Sequence, residues 1–240
     1  MAKLASAANG NISLLASPRY IRLVRWAFAR FYHEFAWTYD TVAALVSAGH
    51  WRDWALAALP ELRGRVLELG CGTGNLQTAL AERARPALGL DASPTMLALT
   101  RAKLAQAGRS APLLRADARA LPLARELFDT VVATFPSEYI ADPATLAEVR
   151  RVLRPGGRLV VVLAAQLSAD SLYARLIDLA YRLTLQSSPR PRPAPAPSAP
   201  AGELFAARLG QALLQAGFRL QEFWAGAPGG RVYTLIGTLP

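Results

Sequence analysis

The chain is poor in the residues that build metal centres and disulfides. Its one cysteine, Cys71, excludes an internal disulfide and a cysteine-cluster metal site. The two histidines, His33 and His50, have no partners at zinc-ligand spacing. Lysine is almost absent: apart from Lys3 and Lys103 the positive charge is carried by arginine. No apolar run approaches the ~18 residues that span a bilayer, and no basic-then-apolar leader opens the chain. These absences point to a cytoplasmic protein without bound metal, with peripheral membrane contact left open.

Acids are also outnumbered, and the formal net charge is +10. Such an excess can steer a protein to nucleic acid or to an anionic membrane. Here the arginines are scattered along the chain among alanine and leucine, which reads more simply as a solvated surface. Just over half of the 240 residues are hydrophobic (52%), enough for a sizeable core in one α/β domain.

The first 62 residues read as a helical lid or cap. Residues 63–240 then form the main domain, alternating short apolar runs with helical stretches, the pattern of a parallel sheet with crossovers. Strands are expected at Arg65–Leu69, Ala87–Leu90, Pro112–Arg115, Thr130–Thr134, Arg158–Leu163, Phe218–Trp224 and Arg231–Gly237. Helices are expected near Leu76–Arg83, Pro94–Ala107, Pro143–Leu153 and Glu203–Ala216. Arg154-Pro155-Gly156-Gly157 reads as a turn into the fifth strand. A helical insertion over 168–187 and a proline-rich linker over 188–201 interrupt the later part.

The informative stretch is Val66-Leu67-Glu68-Leu69-Gly70-Cys71-Gly72-Thr73-Gly74, an apolar strand running into a loop with glycine at every second position. A helix opens near Asn75. Glycine permits the tight turn and a close ligand approach, and a helix N-terminus offers unpaired amide donors. A dinucleotide site would place its third glycine one residue later. About 20 residues past the first glycine, Asp91 ends the second strand, where one carboxylate can grip both hydroxyls of a ribose. It can equally start the turn Asp91-Ala92-Ser93-Pro94 and cap the following helix. Asp117 ends the third strand in Leu114-Arg115-Ala116-Asp117-Ala118, with turn capping as its ordinary role.

In order and register, residues 63–165 resemble the class I S-adenosylmethionine (SAM) methyltransferases. The run Leu146–Leu159 is similar to the helix, turn and fifth strand of their ubiquinone/menaquinone C-methyltransferase branch. The resemblance implies a Rossmann-like sheet of seven strands, mostly parallel with an antiparallel last strand. It implies SAM as cofactor, with Glu68, Gly70, Cys71, Gly72, Gly74 and Asn75 forming the loop side of the pocket. Asp91, Ala92 and Met96 would follow at the ribose, Asp117 and Ala118 at the adenine edge, and Thr134 beside the methyl group. Tyr39 corresponds to an entrance residue that lines the SAM pocket.

The acceptor is less legible. The loop Thr134-Phe135-Pro136-Ser137-Glu138-Tyr139 lacks the Asn/Asp-Pro-Pro-aromatic signature of enzymes that methylate nucleobase or amide nitrogens. Glu138, Tyr139 and His33 are candidate base or orienting groups. Residues 19–33 mix arginines with large apolar side chains, which suits an interfacial helix on anionic lipid, a lid over a hydrophobic substrate, or an ordinary packed helix. The expected activity is methyl transfer to a small-molecule or lipophilic acceptor: a quinone precursor, a phospholipid head group or an aromatic metabolite. The competing reading is an RNA, DNA or protein methyltransferase that uses the basic surface, which predicts arginines clustered at the cofactor mouth.

Overall fold

The computed structural model describes residues 47–168 and 200–240, with the side chains of 200–203 left aside. The N-terminal helical segment, the insertion over 169–187 and the linker up to residue 199 lie outside the described residues. Strands are β1 (Val66–Leu69), β2 (Ala87–Asp91), β3 (Leu113–Arg115), β4 (Phe128–Thr134), β5 (Leu153–Leu167), β6 (Arg219–Ala227) and β7 (Gly230–Thr238). Helices are α1 (Trp51–Leu56), α2 (Asn75–Glu82), α3 (Pro94–Gln106), α4 (Pro143–Val152) and α5 (Pro200–Gln215).

The seven strands form one sheet in the order β3-β2-β1-β4-β5-β7-β6. β1 to β5 pair in parallel, and β7 runs antiparallel to both β5 and β6. The order reverses between β1 and β4, so their carboxyl ends flank the crevice where ligands of open α/β sheets bind.

Alternation along the strands sorts the core into two faces. Leu67, Leu69, Val131, Ala133, Leu159 and Val161 face α4 and α5, meeting Leu146, Val149, Leu209 and Leu213. Val66, Val132, Val160, Val162 and Ile236 face the other way, onto Trp54 of α1 and Leu76 and Leu80 of α2. Glu68 shares the parity of Val66 and therefore points toward α2.

Helix starts follow local chemistry. Ser93 caps α3 by accepting the Met96 amide at 3.3 Å, with Pro94 next. Asp142 caps α4 by accepting the Ala144 amide at 2.9 Å, with Pro143 next. Three expectations need correction. Pro155-Gly156-Gly157 does not reverse the chain; it lies within β5, where the register jumps from Phe128↔Leu153 to Thr130↔Arg158. Gly156 takes φ +72°, so the extra residues are absorbed as a bulge. Leu153 is accordingly the first strand residue rather than the end of α4. The last helix opens at Pro200, taking in the final residues assigned to the linker; proline at the first helical turn gives up no needed amide.

Candidate functional site

The crevice is built around the loop that leaves β1. Gly70, Gly72 and Gly74 have φ of +69°, +55° and +85°, conformations that favour glycine. The Cys71 amide donates to Leu90 O at 2.9 Å, tying the loop to β2, and the Gly74 amide closes the turn on Cys71 O at 2.9 Å. The three glycines make room for different things. A Cβ on Gly70 would lie 2.7 Å from the Tyr139 hydroxyl, and one on Gly74 would lie 2.7 Å from Thr100 Cγ2. At Gly72 the nearest atom is the backbone oxygen of Gly70 at 3.9 Å. Only there does the missing side chain leave space open for a ligand.

Asp91 holds this loop directly. Its Oδ2 accepts the Gly72 amide at 3.0 Å, and its Oδ1 accepts the Ser93 amide at 2.8 Å. Each oxygen retains a second lone pair, which suits a diol. The α3 cap expected of Asp91 belongs instead to Ser93. α3 braces the loop from below: Thr100 Oγ1 donates to Gly72 O at 2.7 Å, and Lys103 Nζ donates to Asn75 Oδ1 at 2.8 Å. Thr100 is fully buried. Thr100→Val removes that donor and leaves a loop carbonyl short of a partner, so a loss of about 1–2 kcal/mol is expected in urea unfolding. SAM affinity should weaken with it.

Glu68 stands apart from the ligand-facing role expected for it. It is buried at 1% exposure and accepts Gln77 Nε2 at 2.8 Å. Burial pushes its carboxyl up to about 8; the Gln77 hydrogen bond opposes the shift and the Asp91 charge adds to it. Glu68 thus supports the loop from within. Cys71 is similar: burial, with the Glu68 and Asp91 charges, drives its thiol far above the usual range and makes it inert. Its part in the cradle is its backbone. Met96 is likewise buried under the α3 turn, whereas Ala92 is exposed beside Asp91.

Asp117 lies one strand further along. The Ala116 amide donates to Asp91 O at 3.3 Å, which places the two acids side by side at the strand ends. Asp117 Oδ1 accepts the Arg119 amide at 2.9 Å, and its side chain is 57% exposed. Arg119 Nε also donates to Asp142 Oδ2 at 3.0 Å, linking this turn to α4. Farther back, Glu148 accepts the Leu121 amide and Arg151 donates to Leu121 O and Leu123 O, so α4 grips the loop after β3. Ala118 is buried next to Asp117.

On the β4 side, Thr134 is half-buried and Glu138 is exposed on the rim. Tyr139 OH donates to Leu69 O at 3.0 Å. That hydrogen bond ties Tyr139 to the end of β1, an arrangement that suits the orienting alternative of the two roles expected for it. His50 sits at the start of α1, 3.5 Å from Asp53, and packs on the β6–β7 turn at Gly229, away from the loop. His33 and Tyr39 lie outside the described residues. Among the described residues no His/Cys/Asp/Glu group is arranged to hold a metal ion. Hollows of about 430 and 350 Å³ open at the amino ends of the strands, beside Arg125 and Arg150 and beside Arg65 and Arg85. Neither includes a residue of the glycine loop.

A strand, a glycine loop with one open position and an acid at the end of each of the next two strands are thus brought together. Residues 66–157 match the family model described as a methyltransferase domain. Over those residues the chain is similar to methyltransferase domains, and its seven-stranded sheet has the Rossmann-like class I architecture. It is 42% identical over 138 residues to a demethylmenaquinone methyltransferase of Thermus thermophilus, covering 55% of this chain and 63% of that protein. It is 34% identical over 139 residues to a ubiquinone/menaquinone biosynthesis C-methyltransferase of Burkholderia mallei, covering 55% and 57%. Both matches thus span less than two thirds of the relative. A SAM-dependent methyltransferase structure from Aquifex aeolicus shares the fold at a TM-score of 0.56 and 15% identity, over 80% of this chain and 93% of that one.

Thr100, Gln77, Lys103 and Arg119 were not singled out in the sequence. Each is a polar residue on a helix or turn whose partner lies elsewhere in the chain, and no short motif marks such pairs.

Proposed function

We propose that the whole protein transfers a methyl group from SAM to a lipophilic aromatic acceptor, a hydroquinone of the kind its named relatives suggest. The observation that carries this reading is the open Gly72 amide turn flanked by Asp91 and Asp117. Two acids lie at neighbouring strand ends beside the open glycine, an arrangement that would fit a cationic nucleoside carrying a diol and an amino edge. SAM supplies an electrophilic methyl on sulfur for in-line displacement. The chain supplies placement: Asp91 for the ribose hydroxyls, Asp117 and the Ala118 amide for the adenine edge, the α2 N-terminus for the carboxylate end. Gly74 caps α2 without a side chain, so no side chain competes for those first-turn amides.

For a hydroquinone, the ring carbon beside the hydroxyl is the nucleophile, and the reaction releases one ring proton. Glu138 on the rim is the acid we assign to receive it. The acceptor side is apolar, since Trp51, Phe135, Ala165 and Leu167 form a half-buried wall continuous with the α1/α2 core. Contact with a membrane surface through the basic, aromatic residues 19–33 would bring such an acceptor within reach. Among the described residues no helix is long and apolar enough to cross a bilayer.

The test is methyl transfer from labelled SAM to 2-prenyl-1,4-naphthohydroquinone in detergent micelles, with a simple phenol and an unmodified RNA in parallel. Label in the naphthohydroquinone, lost in Glu138→Gln by ten-fold or more in kcat, is the expected result. Label in the RNA instead would move the activity to the basic-surface reading.

A further inference from the structure

Phe135 has a backbone that its side chain disfavours. Its φ is +49°, in the left-handed region where bulky residues are outliers, and it precedes Pro136, which restricts it further. The conformation is held by the Phe135 amide donating to Val162 O at 2.7 Å. It has a visible consequence. Along β4, Val131 and Ala133 face α4 and α5, so continued alternation would send residue 135 the same way. The left-handed turn breaks that alternation. The ring joins the opposite face and stacks on Trp51, with centroids 4.4 Å apart and planes 29° from parallel.

Both rings are half-buried, and Phe135 is the residue directly after β4, on the crevice side of the strand that borders β1. Strain of this kind persists where the surroundings over-determine it, and it clusters at ligand contacts. A residue needed only to fill the α1 core could come from the β-branched or leucine set without a left-handed backbone.

We infer that Phe135 and Trp51 form an aromatic seat that contacts the acceptor and selects a flat, fused ring over a single ring. The inference rests on the methyl-transfer reading above and deepens it. Offset or tilted ring contact favours planar partners, and the two-ring seat matches a bicyclic acceptor better than a monocyclic phenol.

The experiment uses the full chain with four variants: Phe135→Gly, which suits the left-handed backbone, Phe135→Leu, Trp51→Leu, and Phe135→Tyr, which keeps a ring. S-adenosylhomocysteine binding is read by calorimetry, and KM and kcat by labelled-methyl transfer to 2-prenyl-1,4-naphthohydroquinone and to 2-prenylphenol. The expected result is S-adenosylhomocysteine affinity within about twofold of the parent and a KM for the naphthohydroquinone raised about tenfold. The two-ring preference in kcat/KM should fall toward one, and Phe135→Tyr should restore it. A merely structural ring would lower Tm and cofactor affinity while leaving the ratio between acceptors unchanged, and that result overturns the seat. If Phe135→Gly does not fold, Phe135→Leu and Trp51→Leu decide by the same ratio. Saturation-transfer NMR of the naphthohydroquinone on the S-adenosylhomocysteine complex separates the two proposals. Phe135-dependent binding without methylation overturns the reaction and supports the seat. Absence of both binding and methylation overturns the seat.

Discussion

Asp91→Ala is expected to weaken SAM and S-adenosylhomocysteine binding by on the order of a thousandfold in calorimetry. Two contributions add. In the proposed site the carboxylate would give a charge-assisted hydrogen bond to each ribose hydroxyl, worth about 1.5–3 kcal/mol apiece. It also fixes the one loop residue with open space, through Gly72 N to Oδ2 at 3.0 Å, while Oδ1 holds the Ser93 amide at 2.8 Å. Asp91→Asn separates charge from shape. An amide at this position would turn its NH2 toward either the Gly72 or the Ser93 amide, donor against donor, so it should lose almost as much as alanine. Circular dichroism of both variants should keep the native helical signal, because neither side chain fills the core. Cofactor affinity within threefold of the parent in Asp91→Ala would remove Asp91 from the site and with it the present placement of the ribose.

The parts of this site legible in the sequence are those set by contiguous residues. Glycine spacing between Gly70 and Gly74 anticipates a tight loop there, whereas Asp91, expected at a ribose or in a turn, also clamps that loop. The five parallel strands fall where short apolar runs predicted them, since strands flanked by helices on both faces are largely apolar. What was missed depends on contacts between distant residues. Glu68 looks like a ligand from its place in the motif, yet parity with Val66 turns it inward onto Gln77. The Thr100 brace and the Arg119 bridge from Asp117 to Asp142 join residues at least 23 positions apart. The backbone of Phe135 follows from the turn into Pro136 against β5, which no residue type announces. Arginine is the other case. Several arginines bind the chain itself: Arg85 to Leu62 O, Arg150 to Ala216 O, Arg154 to Asp129 and Arg158 to Glu61. The positive charge is therefore partly scaffold.

Raising the pH from 5 to 8.5 should destabilise the domain through Glu68, and Glu68→Gln should remove that part of the loss. The folded carboxyl titrates at about 8 against 4.5 for the ordinary group, with burial as the first cause. Below about 4.5 both states hold the proton and Glu68 adds no slope. Between the two values the unfolded chain releases its proton while the folded chain keeps it, so stability falls as pH rises and levels off above about 8. The shift corresponds to roughly 5 kcal/mol as an upper bound, and about 2–4 kcal/mol is the expected size after local relaxation. The Gln77 hydrogen bond works against this shift, but the second polar atom of Gln77 favours a protonated neighbour. Gln77 Nε2 donates to Glu68 Oε2, while Gln77 Oε1 is buried without a partner. An acid proton supplies the donor that this pair lacks, and so does the side-chain amide introduced by Glu68→Gln. That variant should therefore unfold at higher urea than the parent at pH 8.5 and match it at pH 5, with SAM affinity changed less than tenfold. Glu68→Ala leaves both Gln77 groups unpaired and should be less stable at either pH. Parallel stability curves for parent and Glu68→Gln across this range would mean that Glu68 is ionised in the folded protein, and that the crevice carries a third negative charge behind Gly72.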